Sequence, residues 1–526
     1  MNNWFYSEKH APIFRYLFIF ICFVPLFLFR DATPNNELKY LSIADEAIRD
    51  GHIFTFWNHG IAYADKPPLY LWIVMLGKWL FGYHSMLFLG LFSILPALAI
   101  LYVMNCWVTP MLSSGRRQIG QLMLMTSGLF TAATLVVRMD MLMCMFIVLS
   151  LYTFYKLYTG QNTLKNHLLL PLYIFLAIFS KGPVGLLVPL LSIVIFLLVT
   201  KRIKEFGKYM GIREFGILIG LCALWFMAVF IEGGKTYLNN LLLDQTINRA
   251  VDASYHKELF GYYLKTIWYL LAPWTLFYAI VILIALKKRL IQTDLEKLFL
   301  TVIVTTLVML SIFSSKLDIY LLPIFPFITY LSFLLQPKIK RKYVYFTITL
   351  PAVLLTLVFP ALVIATPYFE VSFSEYPAIL IASCLLSITS ALSLVLIFRK
   401  QLLRSANMIS TGILLTILIS GFAIRDFNSY IGFGNLARET EKIGKEKGIN
   451  DYYFYQFRSG ENIDSYLNRK IERVNIDELI PKIKSDNFIL LVKNKDLQPG
   501  KILYQYINNK EIYSIGDYSI IIFHLN

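Results

Sequence analysis

Charge is what this sequence has least of. Asp, Glu, Lys and Arg together make up 16% of its 526 residues, where soluble domains carry about 25%. Hydrophobic types make up 57%, and the mean hydropathy is +0.60. An ordinary soluble fold is excluded, because every apolar run would have to hide in one core. Acidic residues are scarcer than basic ones, 33 against 49, for a net charge of +16. The basic residues sit in short clusters between apolar runs, so they read as membrane-flanking loops and no nucleic-acid partner is expected. Cysteine is sparse. Cys22, Cys106, Cys144, Cys222 and Cys384 all lie in apolar stretches without metal-ligand spacing, and read as packing residues. The apolar run from Tyr16 to Phe29 follows Lys9, His10 and Arg15, but no small-residue cleavage site follows it, so it reads as a retained first span. No internal repeat is visible.

What is present is a succession of apolar runs near 20 residues, the length a bilayer core requires. They predict about thirteen spans, at 12–30, 86–107, 119–136, 139–156, 168–180, 183–200, 214–231, 263–286, 298–314, 319–335, 344–364, 376–398 and 408–424. The loops between them alternate. One set carries Arg116-Arg117, Lys156 with Lys165, Lys201-Arg202, Lys287-Lys288-Arg289, Lys340-Arg341-Lys342 and Arg399-Lys400 with Arg404, and is read as cytoplasmic, together with the N-terminus. The other set has two long loops, 31–85 and 232–262, and short turns with isolated charges at a span end. Arg138 and Asp140 flank Met139, Lys181 lies in "FSKGPVGLLVP", and Lys316 and Asp318 lie in "SSKLDIYLLP". Ionisable groups at the edge of the hydrocarbon are costly, and their common side points to one extracytoplasmic site. The plain alternative is snorkelling to the interface.

The expected organisation is an all-α polytopic membrane domain over 1–424, followed by a small extracytoplasmic α/β domain over 425–526. In the tail, "YYFYQF", "FILLVKN" and "YSIIIFHL" read as strands, and "IDELIPKIK" and "SGENIDSYL" as helices. In the first long loop, positions 37–50 have helical periodicity, with Leu41, Ala44 and Ile48 as the apolar face and Asp45, Glu46, Arg49 and Asp50 turned away. Gly51 reads as its stop. The helix is too short to span and is expected at the interface. The run from Pro68 to Phe81 is expected there too, or as the start of the second span. His52, His59, His84 and His167 show no partner spacing.

An acidic residue two positions before a basic residue and Tyr, then a short amphipathic helix, then "YADKPPLYLW" and "LFG", resembles the bacterial 4-amino-4-deoxy-arabinose lipid A transferase family. That family is related to protein O-mannosyltransferases within the polytopic C superfamily of glycosyltransferases (GT-C). "RMDMLMCMFIVLSLY", "SKGPVGLLVPLL", "NRAVDASYHKELFGYY", "APW" and "SSKLDIYLLPIFP" continue the likeness in order over roughly residues 31–335.

The resemblance implies a GT-C fold and an inverting transfer at the periplasmic face of a bacterial inner membrane. The donor would be a sugar, hexose or pentose, on a polyprenyl phosphate. The acceptor would be lipid A, another surface glycan or a protein. A departing phosphate calls for Lys and Arg aimed at it, and a hydroxyl acceptor calls for a carboxylate base. On matching positions, Lys66, Arg249, Lys181 and Lys316 are the implied phosphate contacts, and Tyr63, Tyr320 and Lys39 position the donor. Glu37 and Asp140 are the implied catalytic carboxylates. The family has an Asp-Glu pair where this chain has Asn36-Glu37, and an amide cannot take a proton from an alcohol. Asp65 and His256 match positions that hold a metal in relatives, which leaves a divalent ion such as zinc open. No cofactor is otherwise expected: the chain has no Asp-x-Asp motif of the nucleotide-sugar–metal kind. The competing reading is a flippase or transporter of a lipid-linked sugar, which the lack of a repeat disfavours. A receptor or scaffold would leave the ordered charges of the first loop unexplained.

Overall fold

Long apolar runs without charge have one economical way to satisfy their backbone away from water, which is the α-helix. The computed structural model describes residues 11–243, 257–366, 376–507 and 510–524. Each of the thirteen expected stretches is helical in it. In order, the first helices are α1 (Ala11–Phe29), α2 (Lys39–Asp50), α3 (Leu69–Phe81), α4 (Met86–Val108), α5 (Ser114–Met125), α6 (Gly128–Leu135), α7 (Asp140–Tyr158), α8 (Leu164–Lys181) and α9 (Val184–Val199). The later apolar helices are Ile212–Asn239, Tyr262–Leu270, Thr275–Lys287, Asp294–Ile312, Phe325–Leu335, Arg341–Thr356, Val358–Ala365, Pro377–Phe398 and Leu402–Ala423.

Among the described residues, eight helices are long and apolar enough to cross a membrane, or nine if the bent pair Ile13–Phe29 and Pro34–Asp50 is one span. The protein is a multi-pass membrane protein. The stretches outside the eight fall short for visible reasons. The 119–136 stretch breaks between α5 and α6, and the 263–286 stretch breaks between Leu270 and Thr275. α9 has 16 residues, and α8 carries Lys165, Asn166, His167 and Lys181. The loop expected from position 232 begins later: the helix from Ile212 runs to Asn239, broken at Gly234, where φ is +70°.

The chain forms two compact units. The first comprises Met1–Pro25, Ala64–Tyr70 and Leu87–Ser420, and the second Leu26–Tyr63, Leu71–Met86 and Gly421–Asn526. In the first unit α7 packs along α8, and α8 along α9. Met141, Cys144, Val148 and Leu151 line the buried face of α7 at three- and four-residue steps. Gly185 permits the close return of α9: a β-carbon there would come 2.3 Å from the Ala177 carbonyl carbon.

The second unit contains a five-stranded mixed sheet in the order β4-β3-β5-β7-β6. Its strands are β3 (Tyr452–Tyr455), β4 (Glu472–Val474), β5 (Phe488–Lys493), β6 (Glu511–Ile515) and β7 (Tyr518–Phe523). β3 pairs in parallel with β4 and β5, and β7 antiparallel with β5 and β6. Leu479, Phe488, Leu490 and Ile521 fill the core beneath it. The unit also takes in α2 and a two-stranded hairpin, β1 (Trp57–Asn58) with β2 (Ile61–Ala62). α2 ends as its sequence predicts, on Gly51 at φ +77°. Its faces differ from the expectation. Leu41 and Ala44 are buried, but Ile48 is 42% exposed and Glu46 is buried. The cause is local pairing. Glu46 accepts the backbone N–H groups of His59 (2.6 Å) and Gly60 (2.8 Å) at the hairpin turn. Asp45 holds Lys78 at 2.5 Å and His84 at 2.7 Å. Burial pushes the Asp45 carboxyl up, but these two partners outweigh it and leave it below the ordinary value.

Candidate active site

In the first unit the chain brings four of the expected residues to one place. α6 ends at Leu135, and Val136 is extended, its carbonyl held by Ser93 Oγ at 2.7 Å. Arg138 and Met139 follow, and Asp140 opens α7. A carboxylate in the first turn meets the positive end of the helix dipole. α8 ends on Lys181 because Gly182 takes φ +100° and ψ −147°, with its N–H on Ile178 O at 2.7 Å, and Pro183 follows. That stop places the Lys181 ammonium directly on Asp140 Oδ1. Arg138 Nε stands 3.2 Å from Asp140 Oδ2. Oδ2 is buried, and among the described residues it accepts no hydrogen bond.

Tyr320 completes the cluster from a 3-10 helix, Asp318–Ile324, that packs on α7. Its ring lies under Lys181, with the ammonium 4.5 Å from the ring centre. Lys66 comes from the segment before α3, 2.9 Å from Asp65, and is near enough to act electrostatically on both Asp140 and Lys181. Asp140 and Lys181 are 2% and 9% exposed, so this is a buried ion pair with cations on both sides. Arg138 was visible in the sequence as an isolated charge. Only the structure attaches it to Asp140.

Lys316, also buried, makes different contacts. Its ammonium donates to the carbonyls of Glu258 at 2.9 Å and Phe313 at 2.5 Å. It ties the Ser315 segment to Lys257 and Glu258, next to the bridge between Lys257 and Ser315. Arg249 and His256 lie outside the described residues. Asp65 is engaged by Lys66, and among the described residues no group of three His, Cys, Asp or Glu is arranged to hold a metal.

The other candidates belong to the second unit. Glu37 is 1% exposed, in the turn Pro34–Leu38 that precedes α2. Arg30 grips both its oxygens, at 2.6 and 2.7 Å, and the backbone N–H and hydroxyl of Thr33 donate to Oε2 at 2.8 and 2.9 Å. Asn36, beside it, is exposed. Lys39 lies over the Tyr63 ring at 4.5 Å, which joins two of the donor-positioning candidates. Asp31 accepts from Gly434 N (2.5 Å), Tyr466 Oη (2.5 Å) and Ala32 N (3.1 Å), and burial holds its carboxyl above the ordinary value. His59 meets Ser42 at 3.2 Å, Asn462 at 3.3 Å and Asp464 at 3.7 Å. These pairings cross up to 435 positions of sequence, which is why no local spacing announced them.

The chain is similar to several known proteins. The protein family described as dolichyl-phosphate-mannose-protein mannosyltransferase matches residues 16–238. An undecaprenyl phosphate-alpha-4-amino-4-deoxy-L-arabinose arabinosyl transferase of Serratia proteamaculans is 25% identical over 300 residues, 55% of this chain and 52% of the relative. The Wigglesworthia glossinidia brevipalpis transferase of the same description is 24% identical over 317 residues, 59% of this chain and 55% of that one. The chain thus spans about half the length of the curated relatives it matches. The crystal structure of ArnT from Cupriavidus metallidurans bound to undecaprenyl phosphate superposes with a TM-score of 0.78, at 16% identity and over 98% of each chain. The chain resembles these transferases, and its fold is theirs, the GT-C type with a small C-terminal sheet domain.

Proposed function

We propose that this chain is an inverting GT-C glycosyltransferase that moves a hexose or pentose from a polyprenyl phosphate, such as undecaprenyl phosphate, to lipid A, another surface glycan or a protein. The observation that carries the proposal is the buried Arg138–Asp140–Lys181 arrangement, with Tyr320 beneath Lys181 and Lys66 in electrostatic range. In the reaction the acceptor oxygen forms a bond to the anomeric carbon. The carbon–oxygen bond to the polyprenyl phosphate breaks on the opposite side, and the phosphate leaves with the electron pair. Lys66, Lys181 and Arg138 are assigned to the leaving phosphate, where charge builds. Arg249 and Lys316 are assigned by resemblance to the same phosphate, and Tyr63, Tyr320 and Lys39 to the donor sugar.

The carboxylates favour an acceptor that arrives ionised. Glu37 has both oxygens in hydrogen bonds, and Asp140 is paired with two cations. Both are already engaged by cations, and the Asn36 amide takes no proton. An acceptor phosphate carries its own negative charge and gives up no proton. If the acceptor is a hydroxyl, Asp140 Oδ2 is the group assigned to take its proton. Transfer is proposed to need no metal, and an ion such as zinc at Asp65 and His256 would have to displace Lys66. The proposed setting is a bacterial inner membrane crossed about thirteen times, with the N-terminus cytoplasmic, the membrane domain over 1–424 and residues 425–526 periplasmic. The donor lipid, the acceptor and bulk lipids are the partners.

The test is transfer in reconstituted vesicles, with labelled polyprenyl-phosphate sugars, phosphate and hydroxyl acceptors, and chelator in parallel. Wild type should transfer, chelator should change nothing, and Lys66→Ala and Asp140→Asn should each lose about a hundredfold or more. Full activity in both variants rejects the site. Movement of labelled lipid between leaflets without transfer establishes the transporter instead.

A further inference from the structure

Two adjoining cavities of about 250 and 660 Å³ lie in the first unit, away from the Asp140 cluster. The Asp318–Lys338 stretch, one candidate span, has Tyr320 of that cluster near one end and Gln336, a wall of the smaller cavity, near the other. The cavities share Ile119, Leu403 and Arg404. Their cations are Arg15, Arg116, Arg341, Lys400 and Arg404, and among the described residues no Asp or Glu lines either one. Arg15 and Arg404 have amide partners, Gln121 at 2.6 Å and Gln401 at 2.9 Å, which do not neutralise them. Among the described residues, none of the five forms an ion pair.

The backbone adds to the same charge. α5 opens here with Gly115 and Arg116, the Arg341–Thr356 helix with Arg341, and the Leu402–Ala423 helix with Leu402 to Arg404. The first turns of these three helices contain no acidic residue, and the residues before the first two, Ser113 and Lys340, make no side-chain cap. Cations at helix N-termini are the reverse of the favourable arrangement. Retention of positive residues in cytoplasmic loops explains their number. It does not explain their convergence on a cavity with unfilled helix starts and no counter-charge. An anion with several oxygen acceptors answers all of these at once. The remaining wall is apolar, with Phe277, Phe333, Val344 and Ile348 leading away from the charges. The bound species therefore carries a phosphate head and hydrocarbon.

We infer that this end of the first unit is a binding site for an anionic phospholipid, separate from the donor site and independent of the transferase reading. The phosphodiester sits among Arg116, Arg341 and Arg404, and an acyl chain lies against the apolar wall. Basic pockets between membrane helices hold such headgroups on general electrostatic grounds.

The test is native mass spectrometry of the full-length protein in detergent, titrated with phosphatidylglycerol, phosphatidylcholine or inorganic phosphate. Phosphatidylglycerol should stay bound where phosphatidylcholine does not, and the triple variant Arg116→Gln, Arg341→Gln, Arg404→Gln should bind it about tenfold more weakly. The equally discharged variant Lys201→Gln, Lys204→Gln, Lys208→Gln should bind like wild type. If the first triple variant does not fold, Arg404→Gln alone should weaken binding, and the triple Arg→Lys variant should retain it. Equal retention in both discharged variants, or equal binding of phosphatidylcholine, overturns the inference. Displacement of the lipid by millimolar inorganic phosphate also overturns it, in favour of a soluble anion site.

Discussion

Asp140 and Lys181 pose a problem of their own, because each is buried and each needs the other. Removing one partner of a buried pair leaves an uncompensated charge, at a cost of about 3–5 kcal/mol, whereas removing both is often nearly neutral. Loss of activity in a single variant therefore mixes misfolding with lost chemistry. A double-variant cycle separates them. Lys181→Met alone is expected to lower thermal stability, and Lys181→Met with Asp140→Asn to recover most of it. Transfer should stay lost in both, by thermal unfolding and activity measured on the same samples. Recovery of transfer along with stability would make the pair a structural strut. At this scale Lys66, Asp140, Lys181 and Tyr320 were legible in the sequence as candidates, and the fold brings them together. It did not show that Glu37 is spoken for by Arg30 and Thr33. A hydrogen-bond partner seven positions away, around a turn, leaves no periodic trace.

Among the elements, the α8–α9 turn sets the position of the Lys181 ammonium. Gly182 has backbone angles that only glycine adopts readily, and Gly185 lies against the backbone of Ala177. Gly182→Ala should destabilise the fold by about 1–3 kcal/mol through strain at that one residue. Because the strained peptide follows Lys181 directly, the variant should lose more transfer activity than its loss of stability explains. Activity measured well below its unfolding temperature checks this. The turn was legible as "SKGPVG", since Gly and Pro mark a stop. The faces of α2 were not. Its periodicity pointed Asp45 and Glu46 outward, and both are taken by partners that arrive from the hairpin and from α3. Helical breaks inside apolar runs, as between α5 and α6, were equally hidden, because hydropathy measures length in residues and not continuity of the backbone.

For the whole molecule, membrane character was plain from composition, and the three strands and two helices read in the tail all formed. What composition could not convey is that the second unit gathers residues from the start and the end of the chain. Asn428 holds both ends of this junction, donating from Nδ2 to Phe29 O at 2.7 Å and accepting the Asp31 N–H at 2.9 Å. Deleting residues 421–526 is therefore expected to cost more than a separable appendage would. The 26–63 segment should become a site of rapid limited proteolysis in vesicles, while the first-unit helices stay resistant. An unchanged cleavage pattern would show that the segment keeps its structure unaided.

That junction also sets a clock on biosynthesis. Asp31 leaves the ribosome 397 residues before Asn428 and 403 before Gly434, which are among its partners. At about 5–20 residues per second, the segment around it waits tens of seconds for them. During that interval its buried carboxylates, Glu37 and Glu46 among them, have only their local partners. A chaperone that shields this stretch would act early, and release it only when translation is almost complete.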